Sequence, residues 1–161
     1  ELGNTFSGNV DQIFHWDAAN QQFVAAADYG GFWDGDFPIA TNDVLMLYSY
    51  VTAPFYSLGD LPAPATYNLV AGNNTLMVPL NKSTLAMASD LGAELTAGST
   101  DQVSYWDNAT QMFVGAGDLG GFWDGDFEIG IAMPLMAYSY SPITWPSRGI
   151  QTAPAPSRAR N

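Results

Sequence analysis

Residues 11–50 read DQIFHWDAANQQFVAAADYGGFWDGDFPIATNDVLMLYSY, and residues 101–140 read DQVSYWDNATQMFVGAGDLGGFWDGDFEIGIAMPLMAYSY. Set 90 positions apart without a gap, the two stretches agree at 24 of 40 positions, which marks a duplicated unit. The likeness extends outward. Glu1-Leu2-Gly3 matches Asp90-Leu91-Gly92 with one residue gapped, and Pro62-Ala63-Pro64 echoes Pro154-Ala155-Pro156. Residues 66–92 form a preamble to the second copy that the first copy lacks. The expected order is an incomplete first module (1–50), a Pro/Ala-rich linker (51–65), a complete second module (66–140) and a Pro-rich basic tail (141–161). Either the chain is an excerpt from a longer array, or another chain completes the first module.

The pattern predicts a mainly β chain: two repeated small antiparallel β modules, sandwich or barrel-like, with one short helix in the complete module. Tyr67–Val70 and Leu76–Leu80 read as strands around an Ala-Gly-Asn-Asn turn. Thr84–Leu91 reads as the helix, capped by Ser83 or Thr84 and ended by Gly92, with Leu85, Ala88 and Leu91 on its buried face. Gln102–Trp106, Met112–Val114, Phe127–Ile129 and Leu135–Tyr140 read as the remaining strands, matched in the first copy by Ile13–Trp16, Gln22–Val24, Phe37–Ile39 and Val44–Tyr50. Alternation in Tyr48-Ser49-Tyr50 and Tyr138-Ser139-Tyr140 predicts one buried and one wet face. Residues 51–65 and 141–161 read as extended linkers or edge-packing arms.

Composition narrows the function classes. Of 161 residues, 47% are hydrophobic, enough for a packed core, and only 12% are charged. The formal charge of −12 argues against nucleic acid, whose phosphates call for Lys and Arg. No apolar run approaches the ~20 residues a membrane-spanning helix needs. With no cysteine, disulfides and thiolate chemistry are excluded. Residues 1–147 hold every acid and one base, Lys82, whereas Arg148, Arg158 and Arg160 lie in the tail. An acidic body and a basic tail can attract one another head-to-tail. Trp145 in that tail reads as a plug for a groove on a neighbour.

Two loops gather candidate ligands. Asp28, Asp34 and Asp36 fall within nine residues, as do Asp118, Asp124 and Asp126. Carboxylates converging on a loop suit structural calcium, although the spacing is not that of an EF-hand. The plainer reading is a hairpin, with Gly-Gly supplying positive φ. Trp16, Trp33, Trp106 and Trp123 recur in both copies and read as core area, or alternatively as a sugar-stacking platform. His15 is the only histidine, and Tyr105 replaces it in the second copy. No nucleophile elbow, P-loop or dinucleotide fingerprint appears, so no enzyme is expected. Asn73, Asn81 and Asn108 begin Asn-x-Ser/Thr sequons, so glycans are candidate attachments in a secreted setting.

Asn68-Leu69, Val78-Pro79-Leu80, the helix at 84–92, Trp106-Asp107 and Thr110-Gln111-Met112-Phe113-Val114 together carry a resemblance. On these motifs residues 66–140 resemble tandem β-rich modules of bacterial and archaeal secreted or cell-surface proteins. A Gly-Asn-Asn-Thr-Leu start and Pro134–Tyr140 stand where that pattern has Gly-Trp-Asn-Leu and Gly-x-Gly-Tyr. The resemblance implies an extracellular, architectural, non-catalytic role. The expectation is a subunit of a filament, pilus-like fibre or surface layer. It would pair with copies of itself head-to-tail as a neighbour's linker or tail completes the first module's β edge. The alternative is a carbohydrate-binding or adhesive module of a larger surface protein.

Overall fold

A computed structural model describes residues 2–6, 8–52, 66–79, 82–95 and 99–146. The fold is mainly β, with every strand pair antiparallel. A single-turn helix α1 (Leu2–Thr5) precedes β1 (Val10–Asp17), β2 (Gln22–Asp28), β3 (Trp33–Asp34) and β4 (Leu45–Ser49). Then come β5 (Thr66–Leu69), β6 (Gly72–Met77), α2 (Ala88–Glu94), β7 (Thr100–Asp107), β8 (Met112–Asp118), β9 (Trp123–Asp124), β10 (Pro134–Ser139) and β11 (Ile143–Pro146). The first sheet has the order β3-β2-β1-β4, the second β6-β10-β7-β8-β9, and β11 pairs with β5 alone.

The sequence repeat is reproduced in the register. Ile13 faces Ala26 and Trp16 faces Phe23 across β1 and β2, as Val103 faces Ala116 and Trp106 faces Phe113 across β7 and β8. Both sheets carry an irregularity at the same place, between Val10 and Gln12 and between Tyr138 and Ser139. In each copy a tyrosine hydroxyl closes this corner by donating to an aspartate, Tyr50 to Asp11 and Tyr140 to Asp101. That bond, to an acceptor already negative, holds both phenols above their ordinary value.

The core lies on one face of the second sheet. Leu76, Val103, Ala116, Leu135 and Ala137 supply the sheet side, and Leu85, Ala88, Leu91 and Leu95 cover it. The helix is shorter and later than the spacing predicts. It runs Ala88–Glu94, so neither Ser83 nor Thr84 caps it and Gly92 lies inside it. The carboxylate of Asp90 caps it instead, accepting from the backbone N–H of Ala86 and of Met87, both at 3.0 Å. Gly92 serves packing: a Cβ built there would lie 2.3 Å from Cζ2 of Trp123. Gly3 in α1 meets Trp33 in the same way, at 1.9 Å, which bears out the one-residue gap in the alignment.

Other boundaries also differ. Phe37–Ile39 is not a strand, and Phe127–Ile129 contributes only a bridge between Glu128 and Met87. This stretch bonds to the helix approach instead, Ala88 donating to the Phe127 carbonyl and Ile129 to that of Ala86. β6 begins at Gly72, earlier than expected, because Asn74 turns inward and its side chain bonds the Val70 N–H and carbonyl, drawing the turn back to Val70-Ala71. Residues 143–146, read as part of an arm, form β11. Position 80, the linker from 53 to 65 and the tail from 147 lie outside the described residues.

These contacts set a test. Gly92→Ala is expected to lower stability by about 1–3 kcal/mol, because Trp123 must move. Gly115→Ala, whose Cβ would meet Ser104 at an ordinary 3.7 Å and which stands where the first copy has Ala25, is expected to be neutral or stabilising by a few tenths of a kcal/mol. Urea unfolding followed by Trp fluorescence checks both.

Candidate functional site

The two acidic loops fold as hairpins. Tyr29 donates to the Phe32 carbonyl at 2.9 Å, and Leu119 to that of Phe122 at 2.8 Å. The Gly30-Gly31 and Gly120-Gly121 pairs between them all have positive φ, as a two-residue turn of this hand requires. The carboxylates turn back on their own chain. Asp28 accepts from Gly31 N–H at 2.7 Å, Asp118 from Gly121 N–H at 2.6 Å, and Asp34 from Gly35 N–H at 3.0 Å. Asp124 is exposed at the matching place. Among the described residues no three acidic or histidine side chains come together as a metal-holding group.

Asp36 and Asp126 share a sequence position but not a role. Asp126 caps the second turn position of α2, accepting from the Ser89 N–H at 3.0 Å and the Ser89 hydroxyl at 2.7 Å. Asp36 is exposed.

Trp145 lies in its own chain's core, 2% exposed, stacked at a tilt on Tyr67 with centroids 5.6 Å apart. Its indole N–H donates to Glu94 at 3.3 Å, and the same carboxylate pairs with Lys82. Trp16, Trp33, Trp106 and Trp123 are half-buried. Arg148, Arg158 and Arg160 lie outside the described residues.

The two copies differ at like surfaces, at the edge where the first copy lacks the preamble of the second. In the second sheet β10 is flanked by β6, from Ser139 opposite Gly72 to Pro134 opposite Met77. In the first sheet β4 holds β10's place, and its outer edge carries no strand among the described residues. Side chains follow suit. Ile129 is 7% exposed and Ile39 49%; Ala137 is buried and Leu47 37% exposed. Ser139 is buried whereas Ser49 is exposed. Under the first sheet, Leu2, Ile13, Ala26, Trp33, Phe37 and Ile39 line a cavity of about 360 Å³. Their counterparts in the second copy are packed against Leu85 and Ala88.

The hairpin tip of the first copy docks on the second sheet's edge. The Trp16 indole N–H donates to the Asn73 carbonyl at 2.8 Å. The Gln21 carboxamide donates to the same carbonyl at 3.0 Å and accepts from the Asn73 N–H at 2.7 Å. A side-chain amide thus stands where a neighbouring strand's peptide group would, which blunts an otherwise open edge.

What the fold defines is a class: a mainly β chain of antiparallel sheets, one with a covered apolar face and one with that face exposed and, among the described residues, an edge open. Compared with known proteins, the chain matches no family model, no curated protein and no solved structure.

The carboxylates yield two predictions. Asp126→Ala is expected to cost about 1–3 kcal/mol of stability through the lost bonds to Ser89, and Asp36→Ala less than about 0.5. Both effects should be equal in calcium and in chelator, as read from paired urea curves. Asp17 and Asp107 at the hairpin tips are held below the ordinary 3.8, chiefly by the side chains of Asn20 and Thr110. A depressed carboxylate stabilises the fold above its unfolded value and loses that contribution as pH falls through the folded one. Asn20→Ala is therefore expected to move the Asp17 titration upward while leaving Asp107 in place, in side-chain NMR of both carboxyls.

Proposed function

We propose that this chain is an extracellular structural protein, a subunit of a filament, pilus-like fibre or surface layer that grows head-to-tail by β-strand complementation. One observation carries the reading: β4 holds β10's place yet has no strand on its outer edge among the described residues, and apolar side chains beneath it stay open to water. An open strand edge beside uncovered apolar surface is a template for another strand. A donor from a neighbour would satisfy the backbone and bury Ile39, Leu45 and Leu47 together. Because the donor and acceptor surfaces differ, each contact leaves another acceptor free, and growth does not close.

Each sequence copy frames one module in this reading, and the acidic hairpins stiffen their loops with or without calcium. No catalytic step is assigned. The carbohydrate-binding alternative draws less support, because its four recurring indoles are half-buried and Trp145 is enclosed. The most exposed large apolar side chains are instead Tyr29, Phe32, Leu119 and Phe122 at the hairpin turns.

Electron microscopy and light scattering of native material test the proposal. Uniform fibres, lost on substituting Leu47→Lys, are expected. A monodisperse particle of one chain at high concentration would defeat it. Deletion of residues 147–161 leaves β11 intact and asks whether the basic tail takes part.

A further inference from the structure

We propose that the groove between β4 and the hairpin tip at residues 106–111 is a binding site for an extended segment with the pattern of Gly72–Met77, supplied by a second polypeptide. This rests on the strand-complementation reading and names the segment that the open edge takes.

The chain carries its own template for the complex. In the second sheet β6 lies between β10 and the first copy's hairpin tip. On one side it pairs with β10, Asn73 opposite Tyr138 and Leu76 opposite Leu135. On the other side the Asn73 peptide is held by Trp16 and Gln21. Shifted by 90 residues, β10 becomes β4, and Trp16 and Gln21 become Trp106 and Gln111. The groove that separates this second pair of surfaces has a volume of about 290 Å³. Leu45, Met46 and Leu47 of β4 line it with Trp106, Asn108 and Phe113, together with Thr75 of β6 and residues 134–136 of β10.

The far wall is already in its bonding shape. Gln111 has φ 57°, and Gln21 has φ 53°. The Gln111 carboxamide is tethered to the Asn108 carbonyl at 2.7 Å, as that of Gln21 is to the Ala18 carbonyl at 2.6 Å. Trp106 meets Phe113 edge-on at 5.1 Å and 73°, and Trp16 meets Phe23 at 4.9 Å and 73°. Gln21 and Trp16 spend this geometry on Asn73. Among the described residues the Trp106 indole N–H and the Gln111 carboxamide oxygen have no hydrogen-bond partner. By the correspondence of the two copies, this donor and acceptor stand toward a strand edge that is unpaired among the described residues, which makes a site for backbone.

The occupant's register follows. The residue in Asn73's place lies opposite Tyr48, with its carbonyl toward Trp106 and Gln111. The residue in Leu76's place lies opposite Leu45. Among the described residues the one segment of this pattern already pairs with β10, so the occupant assigned to this groove is a segment of a second polypeptide. The basic tail fits poorly by composition, since residues 147–161 hold one large aliphatic side chain, Ile150.

The test is a labelled synthetic peptide of residues 66–79 titrated with the full chain, read by fluorescence anisotropy. Saturable one-to-one binding is expected, with no binding of a scrambled peptide. The Trp106→Phe, Gln111→Ala double variant removes two hydrogen-bonding groups from partly exposed positions, so the fold should survive, and affinity should fall about tenfold. Leu47→Lys should abolish binding. Absence of saturable binding overturns the inference, and so does equal affinity for all three proteins. Binding by a chain that forms no fibres would leave this site standing and remove the assembly reading. Fibres from a chain that ignores the peptide would do the reverse.

Discussion

The indole of Trp123 rests so closely on Gly92 that no side chain can stand between helix and sheet. The remainder of the second copy's packing depends on this contact. It draws α2 down onto the sheet, which lets Ala88 and Leu91 close over Val103 and Ala116. It also brings the helix start within reach of Asp126, so a charged residue of the β9 loop satisfies the backbone of another element. Trp33 on Gly3 repeats the contact in the first copy, but α1 is a single turn and covers little of its sheet. Equal anchoring with unequal cover is what separates the two copies.

That asymmetry gives the same residues different surroundings. Asp36 and Asp126, Ile39 and Ile129, Ser49 and Ser139 are pairs of identical side chains. In each pair, one is enclosed or bonded where its twin meets water. Environment, not residue type, decides whether a carboxylate here is a cap or a solvated charge. The two hairpin tips show the converse. Their local geometry is the same although, among the described residues, only one is engaged, because each is held by bonds within its own turn: Asp17 with Asn20, and Asp107 with Thr110.

Much of the fold was legible in the sequence. Residues that match at a constant offset pair alike, so the repeat carries one register into both sheets. The two-residue strands β3 and β9 were not expected, Tyr50 and Tyr140 fall just beyond strand ends, and Tyr48, Ser49 and Tyr50 are all exposed where one buried face was expected. The helix was placed four residues early, because Ser83 and Thr84 look like caps. The actual cap, Asp90, acts backward from inside the helix, and its partner Asp126 is 36 residues away in the chain. Phe37–Ile39 and Phe127–Ile129 have strand composition, but the first joins no ladder among the described residues and the second spends its backbone on the helix approach. Trp145 lacked a counterpart in the alignment, and only the fold shows its place beside Tyr67. The open edge of the first copy follows from its missing preamble. The docking of Trp16 and Gln21 on Asn73 was the least legible part, because it joins segments more than fifty residues apart and no residue type marks it.

The pairing of β5 with β11 bears on how the protein is made. Thr144 and Asn68 bond across this ladder although they are 76 residues apart. Contacts of that separation form late and slow the search for the native state. During synthesis β5 leaves the ribosome long before its partner exists, so its apolar Tyr67 and Leu69 wait uncovered. The first sheet closes from contacts within some forty residues and can fold while the rest is still being made. Chain order thus sets the order of assembly, and β11, the last strand among the described residues, completes the core.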